Sequence, residues 1–109
     1  MNKMSLTALA RTHLAHAEQA PSGRSAHTVV GGHDHSLRQT LIAITAGTTL
    51  AEHDSPGEAT VHVLHGHIRL LTTDTSWDGH PGDLLTVPNS RHSLHAVQAS
   101  AVLLTVAKG

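Results

Sequence analysis

The side chains with which this chain could do chemistry are its histidines, 12 in 109 residues. An imidazole can ligate a metal, exchange a proton near neutral pH, or both donate and accept hydrogen bonds. The rings are scattered from His13 to His95, so they form neither a tag nor a His-rich tract. Cysteine is absent, which removes disulfides, thiolate zinc sites, iron–sulfur clusters and thiol nucleophiles together. The amines, Lys3 and Lys108, stand far from every motif, which leaves Schiff-base chemistry without a candidate. No glycine-rich phosphate loop, Gly-x-Ser-x-Gly elbow or His-Glu-x-x-His pair is present. Asp54 and Glu58 read as rim positions, not as an inward carboxylate pair for acid–base work.

Two stretches place histidine at informative spacing. The first runs from Gly47 to Gly66 (GTTLAEHDSPGEATVHVLHG) and the second from Gly82 to Ala96 (GDLLTVPNSRHSLHA). Gly47, His53 and Gly66 keep the register of one motif; Gly82 and Pro88 keep that of another, with Ser90 where it has glycine and His92 one residue early. In these residues the chain resembles the cupin family, over about residues 37–106. The resemblance implies an all-β fold: an antiparallel jelly-roll barrel, here preceded by one N-terminal helix. It also implies four inward ligand positions at the barrel mouth, which fall on His53, Ser55, Ala59 and His92. Two imidazoles are therefore the expected metal ligands, with Ser55 and Ala59 as pocket positions. The asparagine that closes the second motif is Ala96. A resident divalent ion needs three or four N or O donors at roughly 2.0–2.2 Å. The expected set is incomplete, so a divalent metal is either held weakly or not bound.

The other candidates alternate away. Glu58 falls on the strand face opposite Ala59, His62 opposite Val61 and Val63, and His95 opposite His92 and Leu94. His33 and His35 follow Gly31-Gly32 and read as loop. His65 and His67 flank Gly66 and read as solvated turn residues. Asp83 is expected to tie the turn after Gly82, and Trp77 to pack over one end of the sandwich.

The elements that must position these residues change character at Pro21. Ser5 is a helix N-cap, and Leu6, Leu9, Ala10, His13, Leu14 and Ala17 share one face, predicting a helix to about residue 19. From residue 26 onward short runs rich in Val, Ile, Leu and Thr alternate with turn residues. Strands are predicted near 27–30, 37–45, 49–53, 59–64, 67–73, 83–87, 91–97 and 101–106, with a short one around Trp77. This gives a helical segment at 1–24 and a barrel of six to eight strands at 25–109. Leu41 to Ile44 and Val102 to Leu104 are apolar on both faces, from which a homodimer covering the outer face is expected. Basic and acidic residues balance at 7 and 8, and Phe and Tyr are absent. Nucleic acid and membrane surfaces are therefore excluded as partners. With no targeting segment in the sequence, a cytoplasmic location is expected.

The functional reading is a small-molecule-binding or degenerate cupin whose barrel mouth carries His53 and His92. Its alternatives are a metal-dependent enzyme of dioxygenase or isomerase type with a non-standard ligand set, and a dimeric structural or regulatory module without a ligand. Metal content separates the first two, and pocket size the third. The histidine content also predicts that stability falls on acidification between about pH 6.5 and 5, where unperturbed imidazoles titrate. A melting temperature unchanged between pH 7 and pH 5 would mean that the rings are solvated and energetically idle.

Overall fold

The structure is a computed structural model that describes residues 3–53 and 57–107, with the backbone alone for residues 52 and 53. Helix α1 spans Leu6–Gln19 and begins at Ser5, whose hydroxyl accepts a hydrogen bond from the Ala8 amide at 3.1 Å. It ends at Ala20, extended ahead of Pro21. Nine strands follow among the described residues: β1 Arg24–Val30, β2 Leu37–Ile44, β3 Thr49–His53, β4 Glu58–His65, β5 Ile68–Leu71, β6 Ser76–Gly79, β7 Leu84–Thr86, β8 His92–Ala96 and β9 Ser100–Ala107. This exceeds the expected six to eight, because the run around Trp77 forms a full hairpin partner for β5. All pairings are antiparallel, in a five-stranded sheet β1-β2-β9-β4-β7 and a four-stranded sheet β3-β8-β5-β6. The described helix is too short to cross a membrane.

The two sheets close over one apolar core. Ile44, Val61, Val63, Ile68, Leu70, Leu94 and Val102 are buried in it, each supplied by the inward face of an alternating strand. The outer faces differ. On the five-stranded sheet Leu41 and Ala101 turn outward, and α1 covers them with Ala10, flanked by Leu6, Leu9 and Leu14. Leu41 is wholly inaccessible and Leu103 nearly so. The residues from which a homodimer was expected are thus covered within the chain. The outer face of the four-stranded sheet is a polar ladder in which Thr49, His95, Arg69 and Asp78 stand in consecutive register. It needs no cover.

The chain passes from the five-stranded to the four-stranded sheet at Gly66, whose φ is +88°. A Cβ built there would stand 2.3 Å from both the Ala99 carbonyl and the Ser100 hydroxyl. That hydroxyl is fully buried; it donates to the Gln98 carbonyl at 2.7 Å and accepts from the His67 amide at 3.0 Å. Gly66 therefore serves close approach as well as left-handed geometry. At Gly47, φ is +84° but nothing lies within 4 Å of a built Cβ. Gly47→Ala is thus expected to cost only the backbone strain, about 1–2 kcal/mol. Gly66→Ala adds overpacking, for a total of about 3 kcal/mol or more. Urea unfolding of the two variants measures the difference; equal losses would show that the contact at Ser100 relaxes freely.

His13 couples the helix to the sheet. Its ring stacks on His27 of β1 with centroids 5.5 Å apart, meets His16 edge-on at 5.3 Å, and lies 2.7 Å through Nδ1 from the Ser25 hydroxyl. Burial first, then the charges of His16 and His27, lower its pKa from the usual 6.5. A depressed folded pKa means that the neutral ring stabilises the fold above 6.5, a contribution lost as pH falls below it. The melting temperature is expected to fall on acidification through this range, and to fall less steeply in His13→Gln. An identical slope in the variant would free α1 from this role.

Candidate functional site at the barrel mouth

Strand β8 opens on His92, which alternation turns inward together with Leu94 and Ala96. His92 is 5% exposed. Its Nδ1 lies 2.8 Å from the carbonyl oxygen of Ser90. A carbonyl can only accept, so Nδ1 carries the hydrogen, and in the neutral ring Nε2 holds the lone pair. This is the orientation in which an imidazole is set as a ligand or acceptor by a backbone carbonyl behind it. Ser90, where the resembled motif has glycine, supplies that carbonyl.

His53 reaches the same place by an irregularity. Leu50 pairs with Leu94, and the next pair is His53 with His92. Residues 51 and 52 thus stand against Ser93 alone, a β-bulge. Without the bulge, alternation from Leu50 would bring residue 52, not residue 53, to the His92 position. The register makes positions 53 and 92 direct partners across β3 and β8. The expected pair is brought together at the level of the backbone.

The remaining two positions divide. Ala59 lies on the inward face of β4 in the opposite sheet, buried, and its carbonyl accepts from the Val87 amide at 2.9 Å. It offers no donor atom to an ion. Ser55 lies outside the described residues. The space next to His92 is a small cavity of about 50 Å³ bordered by Ile42, Leu50, Val61, Leu70, Val87 and Leu94. Among the described residues it is aliphatic apart from the imidazole. No group of three or more His, Asp or Glu among them is arranged to hold a metal ion. The described donor set alone does not make up a resident four-ligand metal site.

The other expected exclusions follow the register. Glu58 is exposed. His62 faces outward, paired with Leu103 and Leu84. His95 faces outward, its Nδ1 2.8 Å from the Thr49 hydroxyl. His33 and His35 lie in the β1–β2 loop, and Asp83 does tie its turn, accepting from the His80 amide at 2.8 Å.

His67 is the exception. His65 is exposed as expected, though as the last residue of β4 and not in the turn, but His67 is half-buried in a cluster that the sequence reading missed. Its Nε2 lies 3.2 Å from the Asp78 carboxylate without a formed hydrogen bond, and its ring stacks on His80 with centroids 4.3 Å apart. Asp78 instead accepts from Arg69 Nε at 2.7 Å. That bond, with a smaller one-sided pull from His67, holds the Asp78 pKa down at about 2. The signal was the hairpin: continuing the Arg69–Asp78 register outward by one position on the same face sets His67 against His80.

No protein-family model matches the chain, and no curated protein matches it. Solved structures do. A conserved protein of unknown function from Streptococcus pyogenes is 26% identical with a TM-score of 0.72, over 83% of this chain and 78% of that one. A cupin superfamily protein from Desulfitobacterium hafniense gives a TM-score of 0.72 at 17% identity, over 79% and 78%. A salicylate 1,2-dioxygenase from Pseudaminobacter salicylatoxidans gives 0.77 at 22%, over 97% of this chain but 34% of the dioxygenase. The backbone shared with these proteins is the antiparallel jelly-roll barrel. The geometry at its mouth predicts that nitrogen-15 correlation spectra show His92 as the Nδ1-protonated tautomer. An Nε2-protonated ring would overturn the assignment of the Ser90 bond.

Proposed function

We propose that this chain, a small protein of the cupin fold, binds a small uncharged molecule at the barrel mouth through His92, without a resident four-ligand metal. The observation that carries the reading is the buried His92 ring, its Nδ1 committed to the Ser90 carbonyl beside an aliphatic cavity of about 50 Å³. A share of liquid volume is about 30 Å³ per water, so the cavity itself takes only a few heavy atoms. The guest is either very small or inserts one arm past the mouth. The guest carries one polar group toward the His92 ring, and the rest of it is apolar. Ala59, where the resembled family carries glutamate, leaves no carboxylate to favour a cation.

A metal-dependent enzyme with a non-standard ligand set is the second reading. The bulge that sets position 53 against His92 supports it. The homodimer expected from the sequence is part of the proposal on changed ground: with Leu41 and Leu103 covered, it rests on Leu37, which lies beyond α1 on the same face and is 44% exposed. Sedimentation showing only an 11.4 kDa species would remove it.

Calorimetric titration with zinc, nickel and manganese, compared among wild type, His53→Ala and His92→Ala, separates the readings. Expected is metal affinity at least 10–100-fold weaker than a complete site, unchanged in both variants and thus due to surface imidazoles. Tight one-to-one binding lost in both would promote the enzyme. A panel of short alcohols and amides is expected to shift the His92 ring resonances, and an absence of any shift would refute the binding reading.

A further inference from the structure

We propose a second binding site, for an organic cation with an apolar body, in the groove where strands β6 and β7 stand as the open edges of the two sheets. The groove encloses about 430 Å³ and is bordered by Trp77 and Asp78 on one side and Asp83, Leu84 and Pro88 on the other. That volume lies within the roughly 300–1,000 Å³ of small-molecule clefts, whereas the cavity at His92 does not.

Three observations converge there. The first is exposed apolar surface. Trp77 is 47% exposed although its register partner Leu70 is buried, and Leu84, on the edge strand that faces it across the groove, is 64% exposed. Trp77 was expected as packing surface; it pairs with Leu70 at the sheet edge, and its position leaves about half the ring open. A large exposed ring beside an exposed leucine is an anchor pair in search of apolar cover.

The second is rigidity. Gly79, two residues after Trp77, leaves no room for a side chain: a built Cβ would meet the side chain of Leu85 on β7 at 2.8 Å and that of Val63 on β4 at 2.9 Å. Strand β6 is thus packed directly on side chains of the facing sheet, which ties both walls of the groove to one core.

The third is charge. Asp78 is ionised at every pH of interest, with its pKa down at about 2, but Arg69 at 2.7 Å compensates it. Among the described residues no Arg or Lys pairs with Asp83: its carboxylate accepts from the His80 amide, and His80 Nδ1 stands 3.9 Å away. The groove thus sets the Asp83 carboxylate and a half-exposed indole along one cleft. An ammonium or guanidinium group satisfies both, through the carboxylate and through the ring quadrupole. An anion would meet two carboxylates, and a neutral molecule would gain neither term.

The chain offers an unusually clean readout. Trp77 is its one tryptophan and tyrosine is absent, so all intrinsic emission reports on this groove. Benzyltrimethylammonium, titrated at pH 8 and low salt, is expected to change Trp77 emission saturably. Benzyl alcohol and phenylacetate, as neutral and anionic counterparts, should require at least tenfold higher concentration. Asp83→Asn keeps an oxygen to accept from the His80 amide while removing the charge. It is expected to weaken cation binding about tenfold with an unchanged melting temperature. Leu84→Ser, a surface change, should weaken all three probes alike. Equal affinity for cation and neutral probe, or unchanged cation affinity in Asp83→Asn, would overturn the proposal. So would emission that responds to protein concentration alone, which would assign the groove to a second copy of the chain. None of these outcomes bears on His92, which lies at the barrel mouth.

Discussion

The fold turns on one hydroxyl. Ser100 begins β9, the central strand of the five-stranded sheet, and is buried between that sheet and the crossover to the other. Its oxygen accepts from the His67 amide at 3.0 Å and donates to the Gln98 carbonyl at 2.7 Å. The amides of Val97 and Gln98 return bonds to the His67 carbonyl at 2.9 and 3.2 Å. The start of β5 is thereby tied to the turn between β8 and β9. Leaving any of these buried groups unpaired would cost about 1–3 kcal/mol. Gly66 is the residue that makes the tie sterically feasible. The spacing between Gly66 and Ala59 is then set, because β4 must run its eight residues along β9 to reach the crossover.

The same frame governs the barrel mouth. With β5 and β8 paired in fixed register, His92 comes inward opposite an edge strand, β3, which has freedom to adjust. That freedom is spent in the bulge at residues 51 and 52. An edge strand can carry an extra residue without disturbing a second neighbour, which is where bulges concentrate. In the central strand β9, paired on both sides, one slipped residue would exchange Val102 and Leu104 for Ala101 and Leu103 on the core face. The site therefore joins a rigid wall carrying His92 to an adjustable one carrying position 53.

Much of this was legible in the sequence. Ser5 and Pro21 bracket α1 through local capping chemistry, and the strand runs are bounded by turn residues whose geometry is equally local. What alternation could not give was relations between strands. The outward Leu41 reads as a surface for another protein, because nothing local says that α1, some thirty residues earlier, returns to cover it. His67 reads as solvated, because its partners lie across a hairpin whose register depends on the turn at Thr72 to Thr75. The pairing of position 53 with His92 departs from a regular register after Leu50 and is recovered only through the bulge. At the site, the motif spacing located His92 and Ala59, but the carbonyl of Ser90, a substitution within the motif, was not visible as the group that orients the ring.

The histidine content has a physical reading once the rings are placed. The chain has no Phe or Tyr and one Trp, yet among the described residues flat rings still meet in three places. His13 stacks on His27, His13 meets His16 edge-on, and His67 stacks on His80. These are positions where an aromatic pair would bridge a helix to a strand, or close a hairpin just beyond its last pair. An imidazole can fill such a position while also bonding to Ser25 or standing against Asp78, which a phenyl ring cannot. The substitution carries a consequence that phenylalanine would not. Two stacked neutral imidazoles attract, whereas two protonated ones repel, so packing here depends on proton activity. His67 stands beside the Asp78 carboxylate, whereas the ring contacts of His13 among the described residues are two more imidazoles. The helix that covers Leu41 thus meets the sheet through rings whose packing responds to protonation, whereas on the four-stranded sheet Arg69 pairs with Asp78 across β5 and β6.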